Sequence, residues 1–378
     1  MGNKAPKICF VEALAYPVLS GDKRQSSTGG ESVQHTLLAR AFAELGWQVS
    51  LVCRDVGQEN GTVVDGVQVW KTYVQNSGLP YMRFVHPRLT SIWRALKQAD
   101  ADVYYQSCAG LMTGVVARFV ASRGRKMIFR AAHDTDFMPG EELINYDRDR
   151  HFYRYGLKRA GLISVQSEVQ QQLLSDNYGL PSVVVDMAAE IPPNVPDQKR
   201  DIDVLWVNNF RQFKRPEIVL DIARAMPDTS FVMIGGPMRT DRDLYVQMET
   251  EAQKVENLNF VGPVPYSDVN SYFSRAKVFL NTSDSEGFPN SFLQAWVRCV
   301  PVVSYFDPDG FIAGHGLGAS PDTQDDFVPA LYAFLENEAH RQEVGERSRQ
   351  FVIDSYSSAS IAKQYEQLIK ERFDIENR

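Results

Sequence analysis

The chain has 378 residues, which is longer than a single hydrophobic core usually grows, so two domains are expected. Hydrophobic residues make up 44% and charged residues 23% of the sequence, a balance that excludes a disordered or collagen-like chain. The formal net charge of −7 argues against a general nucleic-acid-binding protein.

The first predicted strand, Lys7–Val11, leads into a long polar loop and a helix that starts near Glu31. Gly29 and Gly30 precede this helix, but their spacing is not GxGxxG, so no nicotinamide site is indicated. Long loops inside compact domains are usually functional, which makes both glycines provisional site residues. The alternative for them is a flexible loop tip.

The amino-terminal region carries no pattern of a secreted protein. Its apolar stretch, residues 8–19, is interrupted by Glu12 and Pro17, so we expect neither a signal sequence nor a membrane span. The four cysteines of the chain show neither paired nor metal-type spacing. Together these features predict a reducing, cytoplasmic setting.

Charge is distributed unevenly along the chain, with basic stretches at residues 83–97 and 118–126. Residues 1–190 contain 21 Lys and Arg against 19 Asp and Glu, a net charge of +2, and the remainder contains 19 against 28, a net charge of −9. Such polarity would let the first domain contact an anionic lipid or acceptor at the inner face of the cytoplasmic membrane. A solvated helix face is the alternative.

His133 follows the predicted strand Lys126–Arg130, and ligands of α/β proteins bind at strand ends. A structural role for this histidine is equally open. Asp134 and Asp136 beside it form a DxD sequence of the kind that binds metal in some transferases. We expect no metal here, because one short acidic pair lacks the further oxygen ligands that a hard cation requires.

Prolines in residues 191–202 predict a linker between a first domain, 1–190, and a second domain, 203–356. Five strand-then-helix units in the second domain favour a parallel sheet. The remaining residues, 357–378, contain an amphipathic helix.

Two cations follow the strand that opens the second domain. Arg211 and Lys214 lie just beyond Asp203–Val207, and cations at a strand end suit a leaving group that gains negative charge. An exposed basic turn is the alternative. Further along, Gly235 and Gly236 directly follow a predicted strand, Phe231–Ile234, and suggest a turn on the phosphate side of a ligand.

Residues 281–304 have the pattern of a strand, a loop, a helix and a second strand. Gly287 would let backbone come close to a bound group, and Pro289 suits the first turn of the helix. Free amides at such a helix start favour a phosphate, whereas the carboxylate of Glu286 could hold sugar hydroxyls. The pairing suggests a sugar nucleotide. An ordinary turn with Glu286 as a helix cap is the alternative.

Glu286 and the following GFPNSFLQAW resemble the Glu-x7-Glu region of retaining glycosyltransferases of family 4, with Gln294 in place of the second acid. The resemblance implies the GT-B fold: two facing Rossmann-like domains with the active site in the cleft between them, and a final helix packed back on the first domain. It implies that Lys214 contacts the donor diphosphate, with Arg211 replacing an arginine where this chain has Asn208 and Asn209. His133 would lie near the donor sugar.

The same resemblance implies that Gly29 and Gly30 approach the diphosphate, and that the segment containing Val261 reads the base. The expected catalytic residues are His133, Arg211, Lys214 and Glu286. The expected donor-binding residues are Gly29, Gly30, Gly235, Gly236, Val261, Gly287, Phe288, Pro289, Asn290, Ser291 and Gln294.

The predicted function is therefore retaining transfer of a hexosyl group from a nucleoside diphosphate sugar to a hydroxyl acceptor in polysaccharide or glycoconjugate synthesis. UDP or GDP is the expected nucleotide; no separate cofactor and no nucleic acid are expected, and a lipid-linked acceptor is left open. Two alternatives remain, an epimerase of the same fold and a non-catalytic sugar-nucleotide-binding protein, because fold alone does not decide among them.

Overall fold

The computed structural model describes residues 5–21, 29–79, 82–192, 199–238, 241–285, 288–307 and 310–375. The described residues form two compact units. Residues 5–21, 29–188 and 358–375 belong to unit 1, and residues between 189 and 357 belong to unit 2.

Unit 1 is built on an eight-stranded sheet of order β3-β4-β2-β1-β5-β6-β7-β8, in which every neighbouring pair is parallel except β3 and β4. Its strands are β1 Lys7–Val11, β2 Gln48–Asp55, β3 Val63–Val64, β4 Val67–Val74, β5 Val103–Ser107, β6 Lys126–Arg130, β7 Leu162–Val165 and β8 Val183–Val184. Its helices up to residue 188 are α1 Ala15–Ser20, α2 Gly30–Glu44, α3 Thr90–Ala99, α4 Leu111–Arg123, α5 Asp147–Leu157 and α6 Glu168–Tyr178, with a π-helical turn at Phe84–Leu89 and a 3₁₀ turn at Asp134–Phe137.

Unit 2 contains a six-stranded parallel sheet of order β11-β10-β9-β12-β13-β14. Its strands are β9 Ile202–Val207, β10 Phe231–Ile234, β11 Leu258–Gly262, β12 Ala276–Asn281, β13 Val302–Ser304 and β14 Gly318–Ala319. Its helices are α7 Pro216–Ala225, α8 Arg242–Ala252, α9 Tyr266–Arg275, α10 Asn290–Trp296, α11 Phe311–His315, α12 Phe327–Leu335 and α13 Glu338–Tyr356, with 3₁₀ turns at Gln212–Lys214 and Gln324–Asp326.

The last helix, α14 (Ser358–Phe373), belongs to unit 1 although the chain reaches it after unit 2. The Tyr365 hydroxyl lies 2.8 Å from the hydroxyl of Ser164 in β7, and the Glu366 carboxylate accepts a 2.9 Å hydrogen bond from the indole of Trp47. Buried apolar residues such as Ile361 and Ile369 complete the packing.

The fold confirms the predicted class, an α/β protein with two Rossmann-like domains. Parallel strands in such sheets are buried on both faces, and their uniformly apolar sequences made them recognisable. The predicted limits of β1, β6 and β10 agree with the structure. Within the described residues, no helix combines the length and hydropathy needed to cross a bilayer.

Candidate active site

Arg211 and Lys214 lie at the carboxyl end of β9, on either end of a 3₁₀ turn. The Lys214 amide donates to the Arg211 carbonyl oxygen at 3.0 Å, which closes the turn between the two residues. Both cations approach the ring of Phe213, with the Arg211 Cζ at 5.8 Å and the Lys214 Nζ at 5.0 Å from its centroid. The turn therefore brings the two predicted diphosphate-binding cations together.

The loop after β12 holds this turn through a buried threonine. The Thr282 hydroxyl donates to the Lys214 carbonyl oxygen at 2.8 Å and accepts from Trp206 Nε1, in β9, at 3.1 Å. Thr282 and Trp206 are fully buried, and Lys214 is only 9% exposed. Since a buried hydroxyl with both hydrogen bonds made has one favoured orientation, Thr282 fixes the backbone from which the Lys214 side chain extends.

A second pair of contacts joins the same two loops nearer the surface. The Asp284 amide donates to the Phe213 carbonyl oxygen at 2.9 Å, and the Asp284 carboxylate pairs with Arg215 at 3.0 Å. Arg215 also pairs with Glu217 at 2.6 Å, and these two carboxylates raise its pKa. Arg215 adopts a left-handed backbone, φ +49°, which is unusual for a non-glycine residue and marks a geometry imposed by its surroundings.

Polar side chains link the carboxyl ends of β9, β12 and β13. The Asn208 amide donates to Asn281 Oδ1 at 3.3 Å, and the Asn281 amide donates to the Ser304 hydroxyl at 3.2 Å. The same Asn281 Oδ1 accepts from the Ser283 hydroxyl at 2.8 Å. Asn208 is one of the two asparagines that stand where the resemblance would place an arginine, and here its side chain joins a network whose other members, Asn281, Ser283 and Ser304, are buried.

Glu286 and Gly287 lie outside the described residues, so their predicted roles remain predictions. Phe288 follows them and is buried, stacked on Tyr356 with ring centroids 5.5 Å apart. Its ring is thus part of the unit 2 core, and only its backbone is available for the expected donor contact.

Pro289 was expected in the first turn of the helix, but it precedes the helix as the N-terminal capping residue of α10. Its ψ of 122° is extended, and its carbonyl oxygen accepts from the Phe292 amide at 3.1 Å. The first helical residues are Asn290 and Ser291, both half-buried. A capping residue is extended by nature, which accounts for the difference of one position.

Gln294, expected to bind ribose, lies half-buried on α10 and reaches α9. Its Nε2 donates to Asn270 Oδ1 at 3.1 Å. Because the amide nitrogen is committed to Asn270, the carbonyl oxygen of the same side chain is the atom suited to accept a ribose hydroxyl.

Gly235 and Gly236, after β10, are buried against the loop of Asn208 and Phe210. A Cβ at Gly235 would lie 1.8 Å from the Asn208 carbonyl oxygen, and the Gly236 carbonyl oxygen accepts from the Phe210 amide at 3.1 Å. Close packing of two loops therefore already requires glycine at 235. Val261, near the end of β11, is half-buried.

In unit 1, Gly29 and Gly30 form the start of α2 at the carboxyl edge of the sheet. Gly29 precedes the helix, and a Cβ there would meet no atom of the described residues within 4 Å, unlike a Cβ at Gly235. Glu31, in the first turn, accepts a 3.0 Å hydrogen bond from the Ser107 hydroxyl of β5.

Three carboxyl groups lie beneath this helix start, and the sequence analysis did not assign a role to any of them as a site. Burial raises the pKa of Glu31 to about 8, with a further contribution from Glu12. Burial likewise raises the pKa of Glu12 to about 7 and that of Asp136 to about 6. Such carboxyls can donate as well as accept hydrogen bonds near neutral pH.

His133 caps the 3₁₀ turn after β6. Its Nδ1 accepts from the Thr135 amide at 3.2 Å, so a neutral His133 carries its proton on Nε2 and can act as a donor there. The DxD sequence has structural partners: Asp134 accepts from Gln170 at 3.0 Å and Asp136 from the Ala132 amide at 2.8 Å. Among described residues no group of three or more His, Cys, Asp or Glu could hold a metal ion.

Among the described residues, the structure thus places the predicted residues of unit 2 at or beyond the carboxyl ends of β9, β10, β11 and β12, and those of unit 1 at the carboxyl edge of its own sheet. Sequence reasoning missed the residues that hold them, above all Thr282, Trp206, Asp284 and Asn270. A polar side chain directly after a buried strand, as at Thr282 and Glu12, was the available signal.

Two parallel α/β units with polar residues at their strand ends are the architecture of proteins with the GT-B fold. Residues 29–188 match the family described as "Glycosyl transferase 4-like domain", and residues 188–351 match "Glycosyl transferases group 1". The chain therefore belongs to the GT-B glycosyltransferases, and the predicted enzyme class is confirmed at that level.

Among curated proteins, the chain is similar to the O-antigen biosynthesis glycosyltransferase WbnH of Escherichia coli, with 26% identity over 202 residues that cover 51% of this chain and 56% of WbnH. The match thus spans little more than half the length of that relative. The probable O-antigen biosynthesis glycosyltransferase WbiN of Escherichia coli matches to the same extent.

Solved structures show the same fold over nearly the whole chain. Sucrose-phosphate synthase from Thermosynechococcus elongatus superposes with a TM-score of 0.77 at 16% identity, covering 98% of this chain and 100% of that one. Anabaena HepE, solved in complex with UDP and glucose, gives a TM-score of 0.72 at 14% identity, covering 97% and 100%. At these identities the likeness concerns the fold.

Proposed function

We propose that this protein transfers a hexosyl group from a nucleoside diphosphate sugar to a hydroxyl of a growing cell-surface polysaccharide or glycolipid, with retention at the anomeric carbon. The names of WbnH and WbiN, which refer to O-antigen biosynthesis, support the acceptor class. The complex of Anabaena HepE with UDP and glucose supports UDP as the first nucleotide to test, with GDP second.

The observation that carries the proposal is the placement of Arg211 and Lys214 around Phe213 at the end of β9. When a nucleotide–sugar bond breaks, the diphosphate gains negative charge. Two cations on one rigid turn stabilise that charge more than they stabilise the intact donor, and this difference lowers the barrier. They also supply the positive charge for which other transferases use a divalent metal.

The remaining roles follow from the resemblance and the local geometry. Gln294 accepts a ribose hydroxyl through its carbonyl oxygen, and Glu286 holds hydroxyls of the donor sugar. Gly29 and Gly30 let the backbone of unit 1 approach the donor. His133 donates from Nε2 to the sugar. The acceptor hydroxyl attacks from the same face that the diphosphate leaves, and its proton passes to the departing diphosphate.

The first test is a thermal-shift screen with UDP, GDP, dTDP and ADP and the corresponding sugar nucleotides. A ligand at 100 times its dissociation constant stabilises the folded state by about 2.7 kcal/mol, which is readily measured. The bound donor is then incubated with and without short glycan and lipid-linked glycan acceptors, and nucleotide release and the anomeric configuration of the product are followed.

Three outcomes separate the hypotheses. Acceptor-dependent release of nucleotide with a retained anomeric configuration supports the proposal. Conversion of the donor without any acceptor would identify an epimerase, and tight nucleotide binding with no turnover across the acceptors would identify a binding protein.

A further inference from the structure

Leu79 and residues 82–97 of unit 1, together called the cationic segment, expose nonpolar side chains to solvent. Leu79 is 70%, Met82 62% and Val85 57% exposed. All three lie within seven residues of one another in the sequence, and the Arg83 amide donates a hydrogen bond to the Leu79 carbonyl oxygen at 2.8 Å. Isolated exposed nonpolar residues are common, but several close together in one short stretch indicate a contact surface.

The cationic segment is anchored from beneath, so its exposed side chains are held outward. Phe84, between Met82 and Val85, packs under Arg148 with the guanidinium carbon 3.7 Å from its ring centroid. Arg88 lies over the ring of Tyr73 at 5.1 Å. The helix that follows, α3, buries Ile92 and Leu96 and leaves Arg94 and Lys97 exposed.

The charged residues of the cationic segment itself have one sign. Between residues 77 and 98 the sequence contains Arg83, Arg88, Arg94 and Lys97 and no Asp or Glu, although the whole chain has a net charge of −7. A second copy of the chain docked on this surface by twofold symmetry would place these cations against their own equivalents. Nonpolar side chains ringed by cations instead match the interface of an anionic bilayer, where lysine and arginine meet lipid headgroups and apolar side chains enter the acyl boundary.

We propose that the cationic segment binds the surface of an anionic lipid bilayer through Leu79, Met82 and Val85 and the surrounding arginines and lysine. The segment begins where β4 ends, at the carboxyl edge of the parallel sheet, which is also the edge that carries the start of α2 and the His133 turn. A lipid-linked acceptor would therefore be presented to the edge of unit 1 that contains its candidate site; this last consequence rests on the proposed function.

The test is sedimentation with vesicles of phosphatidylcholine alone and with phosphatidylglycerol added, at low and high salt, without donor or acceptor. We expect binding only to the anionic vesicles and weakening at high salt. Arg83→Ser with Arg94→Ser should lower the partition coefficient roughly 30-fold, since each cation near the surface contributes about a factor of five. Met82→Ser with Val85→Ser should lower it about tenfold or more.

Matched controls in unit 1 are Arg118→Ser with Arg123→Ser, two exposed cations of α4, and Val63→Ser with Val169→Ser, two exposed valines. These variants should bind as the parent does, and unchanged melting temperatures would show that all variants are folded.

Absence of vesicle binding, equal binding to neutral vesicles, or equal losses in the controls would overturn the proposal. A change of oligomeric state in Met82→Ser with Val85→Ser, without vesicle binding by the parent, would show instead a contact between copies. Donor thermal shifts, measured separately, report on the proposed function and are expected to be the same in all variants.

Discussion

The Thr282 hydroxyl donates to the main-chain carbonyl oxygen of Lys214 at 2.8 Å, joining the loops that follow β12 and β9. The backbone from which the predicted catalytic side chain of Lys214 extends is therefore held by the loop of the neighbouring strand. Trp206 completes the arrangement by donating to the same hydroxyl at 3.1 Å. A mutation at Thr282 should therefore act on catalysis although its side chain contacts no substrate in the proposed mechanism.

Thr282→Val keeps the shape of the side chain and removes both hydrogen bonds. We expect kcat to fall about tenfold while the donor KM changes less than about threefold, because small displacements of a charged group affect the transition state most. The free energy of unfolding should fall by about 1–3 kcal/mol, since a buried donor and acceptor lose their partner. Steady-state kinetics and denaturant unfolding measure the two effects. Thr282→Ser retains the hydroxyl and should restore kcat. A Thr282→Ser protein with the stability of the parent but with a low kcat would contradict the positioning role.

Lys214→Ala tests the stabilisation of the departing diphosphate. The expected result is a loss of about 100-fold in kcat with a much smaller change in donor affinity, because the added charge exists only as the bond breaks. Lys254→Ala is the matched control, a lysine of unit 2 whose side chain is 61% exposed and pairs with Glu251. A kcat within about threefold of the parent, less than 1 kcal/mol of barrier, would show that Lys214 is not the catalytic cation.

Gln294→Ala should raise the donor KM and leave kcat nearly unchanged, since a neutral hydrogen bond to ribose contributes about 0.5–1.5 kcal/mol to binding. Asn270 holds the Gln294 amide nitrogen at 3.1 Å, so Asn270→Ala should produce part of the same defect. The two losses should not add in the double variant, and a double-mutant cycle on donor KM measures the coupling. Glu286→Ala should instead lower turnover. Nucleotide binding as tight as the parent's in Gln294→Ala would assign the ribose contact elsewhere.

Glu31→Gln tests the buried carboxyls of unit 1 through the pH dependence of stability. Burial and Glu12 raise the pKa of Glu31 from 4.5 to about 8, so between these values the folded protein keeps a proton that the unfolded chain has released. Stability from this group is therefore greatest at low pH and is lost as the pH rises toward 8. Relative to the parent, Glu31→Gln should gain about 1–3 kcal/mol at pH 9 and less at pH 5. Denaturant unfolding across this range, with the exposed Glu44→Gln of the same helix as control, measures the difference. If the free energy of unfolding changes with pH in the same way for the parent and Glu31→Gln, the pKa of Glu31 is not raised in the folded protein.

Gly235→Ala and Gly29→Ala form a contrasting pair. At Gly235 the new methyl would lie 1.8 Å from the Asn208 carbonyl oxygen, whereas at Gly29 it meets no atom within 4 Å. The first variant should lose about 3 kcal/mol or more of stability, because backbone must move, and the second should melt as the parent does. If Gly29→Ala nevertheless weakens donor or acceptor binding, the glycine serves ligand approach. A Gly235→Ala protein of normal stability would show that the β9 and β10 loops are not closely packed in solution.

Much of the fold was predictable because its signals are local. Short apolar runs predicted strands such as Lys126–Arg130 and Phe231–Ile234, because both faces of a parallel strand are buried. The amphipathic pattern predicted a helix within residues 357–378, and the structure has α14 there, at Ser358–Phe373. The short hairpin of Val63–Val64 with β4 was not predicted, because two residues cannot establish an alternating pattern.

The candidate site was predictable residue by residue but not in its connections. Arg211 and Lys214 were named from their position after a strand, yet the contact with Thr282 joins residues 68 positions apart. Such pairings depend on the register between neighbouring strands, which no local pattern encodes. The burial of Glu12 and Glu31 was likewise hidden, since carboxylates in polar loops are mostly exposed and only the packing of α2 over β1 and β5 encloses these two.

The membership of α14 in unit 1 has a consequence for synthesis. During translation, residues 5–188 leave the ribosome well before Ser358–Phe373. The contacts of Ser164 with Tyr365 and of Trp47 with Glu366 therefore cannot form until unit 2 has been synthesised. Among the described residues, unit 2 is continuous in sequence from Ala189 to Ser357 and can fold during that interval. The nascent chain should therefore complete unit 2 before α14 completes unit 1. An amino-terminal half expressed alone would expose the apolar surface that Ile361 and Ile369 normally cover, making it a substrate for chaperones and proteases.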